Sequence, residues 1–364
     1  MTKGKYNTLT ANQMKCFIIG AAVSSGILSL PNFLVEVAKQ DGWISSILGG
    51  IYPFYMILIC IYISNQFPND NILTLSKRFL GKYLGSFLNL LFAINFIFYS
   101  AVPPSSISNF LRTYVLDFLS APKFLLIFIS IGAYTAYKGL YVLGKLSELA
   151  FYIILFIIII PLFELNFGTL LNMQPVFQNG YKNILIGSIN SLYSYGGIEI
   201  MFIVYPFIKN SAEFKNSSLK AAMLLCFIYS WATFTTIYIL GIDFIPKTIW
   251  SSIFVVEKIK LPFLNNFRYI IMFLWTLVTL KSLAINYFAC AFILKDTYRK
   301  IESKKIYLFI FLIIFFLSLC YGNEVIIKDL VRIIAPILVI FSVLYVSLIS
   351  LIIFVKKGNA YEKK

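Results

Sequence analysis

Glu199 and Lys281 are the two ionisable residues that fall in the middle of long apolar runs of this 364-residue chain. A carboxylate or ammonium at the centre of a membrane span costs about 2.5–3.5 kcal/mol on insertion scales and usually marks a functional group facing the bundle interior. A second reading of Glu199 is a protonated, hydrogen-bonded carboxyl that only fixes helix packing. Pairing of Glu199 with Lys281 would lower both costs, whereas an unpaired Lys281 would snorkel or sit neutral. Glu199 closes Tyr193-Ser194-Tyr195-Gly196-Gly197-Ile198-Glu199, and a matching interruption, Ser24-Ser25-Gly26-Ile27-Leu28-Ser29-Leu30-Pro31, lies about 170 residues earlier. Unwound backbone is tolerated in a bilayer only where protein buries it or it lines a cavity. Two such interruptions at matching places in two halves of a chain point to a midplane solute site. The exposed N–H and C=O groups, with Ser24 and Ser25, would hold the charged ends of a small solute. A Ser/Gly face for close helix packing is the alternative.

Other residues are candidates of lower rank. Asn95, Phe98 and Tyr99 share a span and are placed to line the cavity or to pack. Lys145 and Glu148 lie three apart on one helix face and fit either an inner gate or an ordinary interfacial ion pair. Pro103-Pro104-Ser105-Ser106 is expected to break the third span near its outer end, or to end it. There is no histidine, and the five cysteines show no paired spacing, so a zinc site, a disulfide framework and a metal or other cofactor are not indicated. Nothing in the chain resembles a nucleophile elbow or a phosphate loop, so no enzymatic activity is expected.

The elements that would position these groups are membrane helices. The chain is 60% apolar and 13% charged, about half the charge of a soluble domain. The net charge of +16 is scattered between apolar runs and forms no nucleic-acid patch. Runs of about 20 apolar residues place ten spans at roughly 17–38, 43–65, 84–110, 122–138, 141–165, 184–208, 219–242, 267–294, 305–322 and 331–355. The first is expected to be retained rather than cleaved as a signal. Alternate connecting segments hold 20 and 10 Lys/Arg, with Lys281 apart, which places both termini in the cytoplasm. The fold expected is all-α and polytopic: one membrane domain over 1–364, with repeats at about 12–165 and 182–355. Five spans per repeat give the two repeats opposite orientation. The stretch from Ile249 to Lys258 reads as an interfacial amphipathic helix with a Trp250 anchor.

Three motifs carry a family resemblance over essentially the whole chain. They are Leu9-Thr10-Ala11-Asn12-Gln13 leading into Gly26–Pro31, the link from Ala136 to Lys145, and Tyr195-Gly196-Gly197-Ile198-Glu199. In order and spacing they resemble the B subunit of spore germinant receptors, within the amino acid–polyamine–organocation superfamily. The resemblance implies a LeuT-type fold with broken first and sixth helices, and a place in the inner spore membrane. It implies a receptor with an A-type subunit and a lipoprotein C-type subunit. The small germinant, often an amino acid, would be bound by Ser24, Ser25, Gly26, Ile27, Tyr195, Gly196, Gly197 and Glu199. Lys145 stands where the family commonly has arginine, so a bidentate contact there would be lost. An amino-acid or cation permease of the same fold is the alternative, and a ligand-free scaffold for an oligomer is a third.

Overall fold

A computed structural model describes residues 8–256 and 267–361. Its helices are α1 (Ala11–Ala22), α2 (Gly26–Ala38), α3 (Gly42–Gly49), α4 (Ile51–Gln66), α5 (Ile72–Leu80), α6 (Lys82–Tyr114), α7 (Ala121–Tyr137) and α8 (Leu140–Ile159). They continue as α9 (Gly180–Tyr195), α10 (Met201–Val204), α11 (Phe214–Leu240), α12 (Ser251–Phe254), α13 (Arg268–Thr297), α14 (Ser303–Cys320) and α15 (Glu324–Tyr361). All ten expected apolar segments are helical. Among the described residues, seven runs are long and apolar enough to cross a membrane, and Ala121–Tyr137 and Ile198–Phe207 are shorter apolar helices. Large apolar side chains such as Leu308, Leu351 and Phe354 face outward, as lipid-facing helices require.

The two interruptions fall where small and polar residues interrupt the apolar pattern. Between α1 and α2, Val23 takes an extended conformation (φ −70°, ψ 111°). Between α9 and α10, Gly196 is extended and Gly197 is left-handed at φ +93°, a region that disfavours any Cβ. Short 3-10 turns, Ile198–Ile200 and Tyr205–Phe207, flank α10.

At the chain start, Thr10 and Gln13 form a capping box for α1: Gln13 N donates to Thr10 Oγ1 at 3.2 Å and Thr10 N to Gln13 Oε1 at 3.1 Å. One residue earlier, Leu9 joins the far end of the second broken segment. Its N–H donates to the Phe207 carbonyl at 2.9 Å, and the Lys209 N–H donates to the Leu9 carbonyl at 2.8 Å.

Two expectations about local shape are corrected. Pro103 and Pro104 lie inside a continuous α6 of 33 residues rather than breaking it. Membrane bundles tolerate proline within a helix, and a neighbouring helix binds this turn: the Ser318 hydroxyl donates to the Ala101 carbonyl at 2.8 Å. The described part of the Ile249–Lys258 stretch, 249–256, is not an interfacial helix: α12 has four residues, and Trp250, Ile253, Val255 and Val256 are buried. Trp250 packs edge-on against Phe110 and Tyr114, and the side-chain Oδ1 of Asn32 accepts from the N–H and hydroxyl of Ser251. These contacts draw the segment into the protein. Glu257 and Lys258, like Lys3, Lys5 and Lys260, lie outside the described residues.

Candidate functional site

The first break exposes the carbonyl end of α1, whose last groups have no partner within their own helix. Helix α13 supplies the partners. Ser282 Oγ donates to Ala21 O at 3.0 Å, Asn286 Nδ2 to the same oxygen at 3.3 Å, and Lys281 Nζ to Val23 O at 3.4 Å. About two turns back along α13, Trp275 Nε1 donates to Ser24 O at 3.2 Å. Gly20 makes room for the lysine, since a Cβ there would stand 2.9 Å from Lys281 Cδ.

The second break is fitted by shape. A Cβ on Gly196 would lie 1.8 Å from the Tyr99 hydroxyl oxygen, and one on Gly197 would lie 2.7 Å from the Ala21 carbonyl oxygen. The glycine pair therefore lets the second break touch both α6 and the first break. Glu199 follows, completely buried. Its Oε1 accepts from the Tyr52 hydroxyl at 2.5 Å, and Asn95 stands beside it.

Glu199 and Lys281 do not pair. The carboxyl is taken by α4 and the amine by the backbone of the first break, so each buried group has its own solution. Lys145 and Glu148 do not pair either. Glu148 accepts from Asn12 Nδ2 at 2.7 Å and Gln13 Nε2 at 3.2 Å, while Lys145 reaches back over the Tyr141 ring at 4.7 Å. Of the two, Glu148 is the one bonded to the start of α1.

Among the residues named from sequence, Ser24, Gly26 and Tyr99 line a void of about 10 Å³ between the breaks, together with Tyr193, Ser194, Ser282 and Asn286. Ser25 and Gly26 also line a wider cavity of about 350 Å³ on the α2 side, walled by Asn32, Glu36, Ser106 and Glu324. Tyr193 borders both spaces and stacks on Tyr99 at 5.8 Å, with Phe98 edge-on at 6.1 Å. Tyr195 and Ile27 turn away. The Tyr195 hydroxyl donates to Ser46 O at 2.8 Å and its ring packs on Tyr229, while Ile27 faces α12 and Trp275. Asn95 Nδ2 donates to Ser342 Oγ at 3.2 Å.

The residues missed from sequence are Tyr52, Ser282 and Asn286, while Tyr193 is named there as the start of the second interruption but not as a ligand-binding residue. Ser282 and Asn286 are one turn apart on the span that holds Lys281, so a polar stripe on that helix was the available signal. Five buried polar atoms around the breaks have no hydrogen-bond partner among the described residues: Ser24 Oγ, Asn95 Oδ1, Tyr99 Oη, Glu199 Oε2 and Asn286 Oδ1.

Two broken helices packed at their interruptions inside a bundle of long apolar helices define an integral membrane protein of the permease class. The solved structure of MhsT in complex with L-phenylalanine, a LeuT-fold transporter, superposes with a TM-score of 0.65 at 10% identity, over 95% of this chain and 90% of that one. The fold is thus of the LeuT type. Residues 8–327 match the family model described as "Spore germination protein", and the chain belongs to that spore germination family. Its relatives include spore germination protein GerQB of Bacillus cereus, 24% identical over 83% of this chain and 84% of that protein. Spore germination protein YndE of Bacillus subtilis (strain 168) is 24% identical over 80% and 82%. Spore germination protein B2 of the same strain is 22% identical over 74% of each.

Proposed function

We propose that this protein is the germinant-sensing membrane subunit of a spore germinant receptor, and that a small solute, an amino acid, binds between the two breaks. The observation that carries this reading is the group of unpartnered polar atoms at the breaks, of which Ser24 Oγ, Tyr99 Oη and Asn286 Oδ1 belong to residues that line the void. Buried polar groups in native proteins are almost always hydrogen-bonded, and these three exceptions around one void are what a polar ligand would satisfy. Ser24, Tyr99 and Asn286 would meet the solute directly. Glu199 and Asn95 would set the polarity of the second break, and Gly26, Gly196 and Gly197 would let backbone approach it. Tyr193 stands between the void and the wider cavity, on the path a solute would take.

In this reading both termini are cytoplasmic, the 350 Å³ cavity opens to the outer side, and the repeats at about 12–165 and 182–355 are inverted about the midplane. The protein would sit in the inner spore membrane with an A-type subunit and a lipoprotein C-type subunit. Thermal unfolding of the purified chain, titrated with each of the twenty L-amino acids, tests the site. At least one should stabilise the wild type and lose its effect in Ser24→Val, which removes a hydroxyl that holds no internal bond, while Leu351→Ala keeps it. No stabilisation by any of them, or an unchanged effect in Ser24→Val, would remove the proposed site. Uptake of that amino acid into proteoliposomes by the chain alone would replace the receptor reading with a permease.

A further inference from the structure

A second cavity, about 550 Å³, lies on the opposite face, between the α4–α5 link, the end of the second broken segment, the last turns of α13 and the start of α14. None of the residues expected from sequence to bind solute lines it. Its mouth is basic. Lys295 and Arg299 stand against one acid, Asp296, and Lys77 already takes that carboxylate from behind at 2.5 Å. Arg299 reaches Asp296 only at 3.4 Å, with 77% of its side chain exposed, so most of its guanidinium remains open to another anion. Lys295 Nζ donates to the carbonyls of Arg299 and Ile301, closing the turn that holds both cations at the mouth. Behind them the floor is aromatic: Phe207 meets Phe292 edge-on at 5.9 Å, and Phe288 packs on Phe292.

A cationic mouth over an apolar floor is the complement of an anionic amphiphile. Basic pockets between membrane helices on the Lys/Arg-rich side are suited to lipid headgroups. We infer that this cavity holds the headgroup of an anionic phospholipid, with its phosphate on Arg299 and Lys295 and the first carbons of its chains on Phe288 and Phe292. The lipid would press on Phe207 and so steady the end of the second broken segment.

Native mass spectrometry and thermal unfolding of the full chain in detergent, with phosphatidylglycerol, phosphatidylcholine or inorganic phosphate added, test the assignment. Phosphatidylglycerol should be retained in preference to phosphatidylcholine, and the preference should weaken with added salt. It should fall about fivefold in Arg299→Gln and roughly 25-fold when Lys295→Gln is added. Lys138→Gln, an exposed basic residue packed on Tyr134, should leave it unchanged. Should the double variant fail to fold, Ser303→Glu places a negative charge at the mouth and should abolish the preference. Equal retention of the two lipids, or a preference untouched by these changes, would overturn the inference. Equal stabilisation by inorganic phosphate would make this a soluble-anion site and overturn the lipid assignment.

Discussion

The two breaks interrupt their helices at similar depth but are held in different ways. The first is held by side-chain donors: Lys281, Ser282 and Asn286 of α13 reach its freed carbonyls. The second is held by the absence of side chains, with Tyr99 seated on Gly196 and the Ala21 carbonyl against Gly197. Donors can exchange one oxygen for another at little cost, because each hydrogen bond is worth only about 1 kcal/mol net. A backbone held at positive φ against a neighbouring carbonyl has no second arrangement nearby. The first break is therefore the adaptable one and the second the fixed reference against which it adjusts.

The contrast is easiest to break at Gly197. Gly197→Val puts a branched side chain at φ +93° and against Ala21; left-handed strain plus overpacking should cost roughly 2–5 kcal/mol. The melting temperature and membrane level of the variant should collapse, and a level near wild type would show that the second break is not fixed by shape. Next is the buried carboxyl. Tyr52→Phe should cost about 1–3 kcal/mol by leaving Glu199 without its donor. The same change made on Glu199→Gln should cost about 1 kcal/mol less, since contacting groups are non-additive.

Glu199→Gln and Lys281→Met, by contrast, should add within about 0.5 kcal/mol in a thermal-stability cycle, because the two groups have separate partners. A larger coupling would restore the ion pair that the structure rejects. Smallest should be Ser282→Ala, at about 1 kcal/mol, since Asn286 also reaches Ala21 O. A loss as large as that of Gly197→Val would erase the distinction between the breaks.

The breaks themselves were legible in the sequence because glycine, serine and proline interrupt runs of Ile, Leu and Phe, and the same runs marked the helices. The partners of the buried charges were not. Lys281 satisfies itself on a backbone carbonyl, and carbonyls leave no mark in a sequence, so the opposite charge of Glu199 looked like its only available partner. Tyr193 was passed over for Tyr195 because α9 continues as a helix to Tyr195. Two residues of helix turn the side chain through about 200°, which sends Tyr195 towards Ser46 and leaves Tyr193 at the void. The proline pair misled for a related reason: proline marks a helix boundary in water far more strictly than in a packed membrane bundle. Glu148 was noticed for a neighbour on its own helix, while its bonds run to Asn12 and Gln13, some 135 residues away in the chain.

The bridge at Leu9 makes the two interrupted helices parts of a single lever. One of its two hydrogen bonds ends on the Phe207 carbonyl and the other comes from the Lys209 N–H, so the residue that introduces α1 is stitched to the residues that close the second broken segment. A tilt of α1 away from the bundle must either shear those bonds or drag 207–209 along. The floor of the basic cavity moves with them, because Phe207 belongs to it. Displacement at the first break is thereby delivered to the opposite face through two peptide hydrogen bonds, with no ionisable side chain in the path.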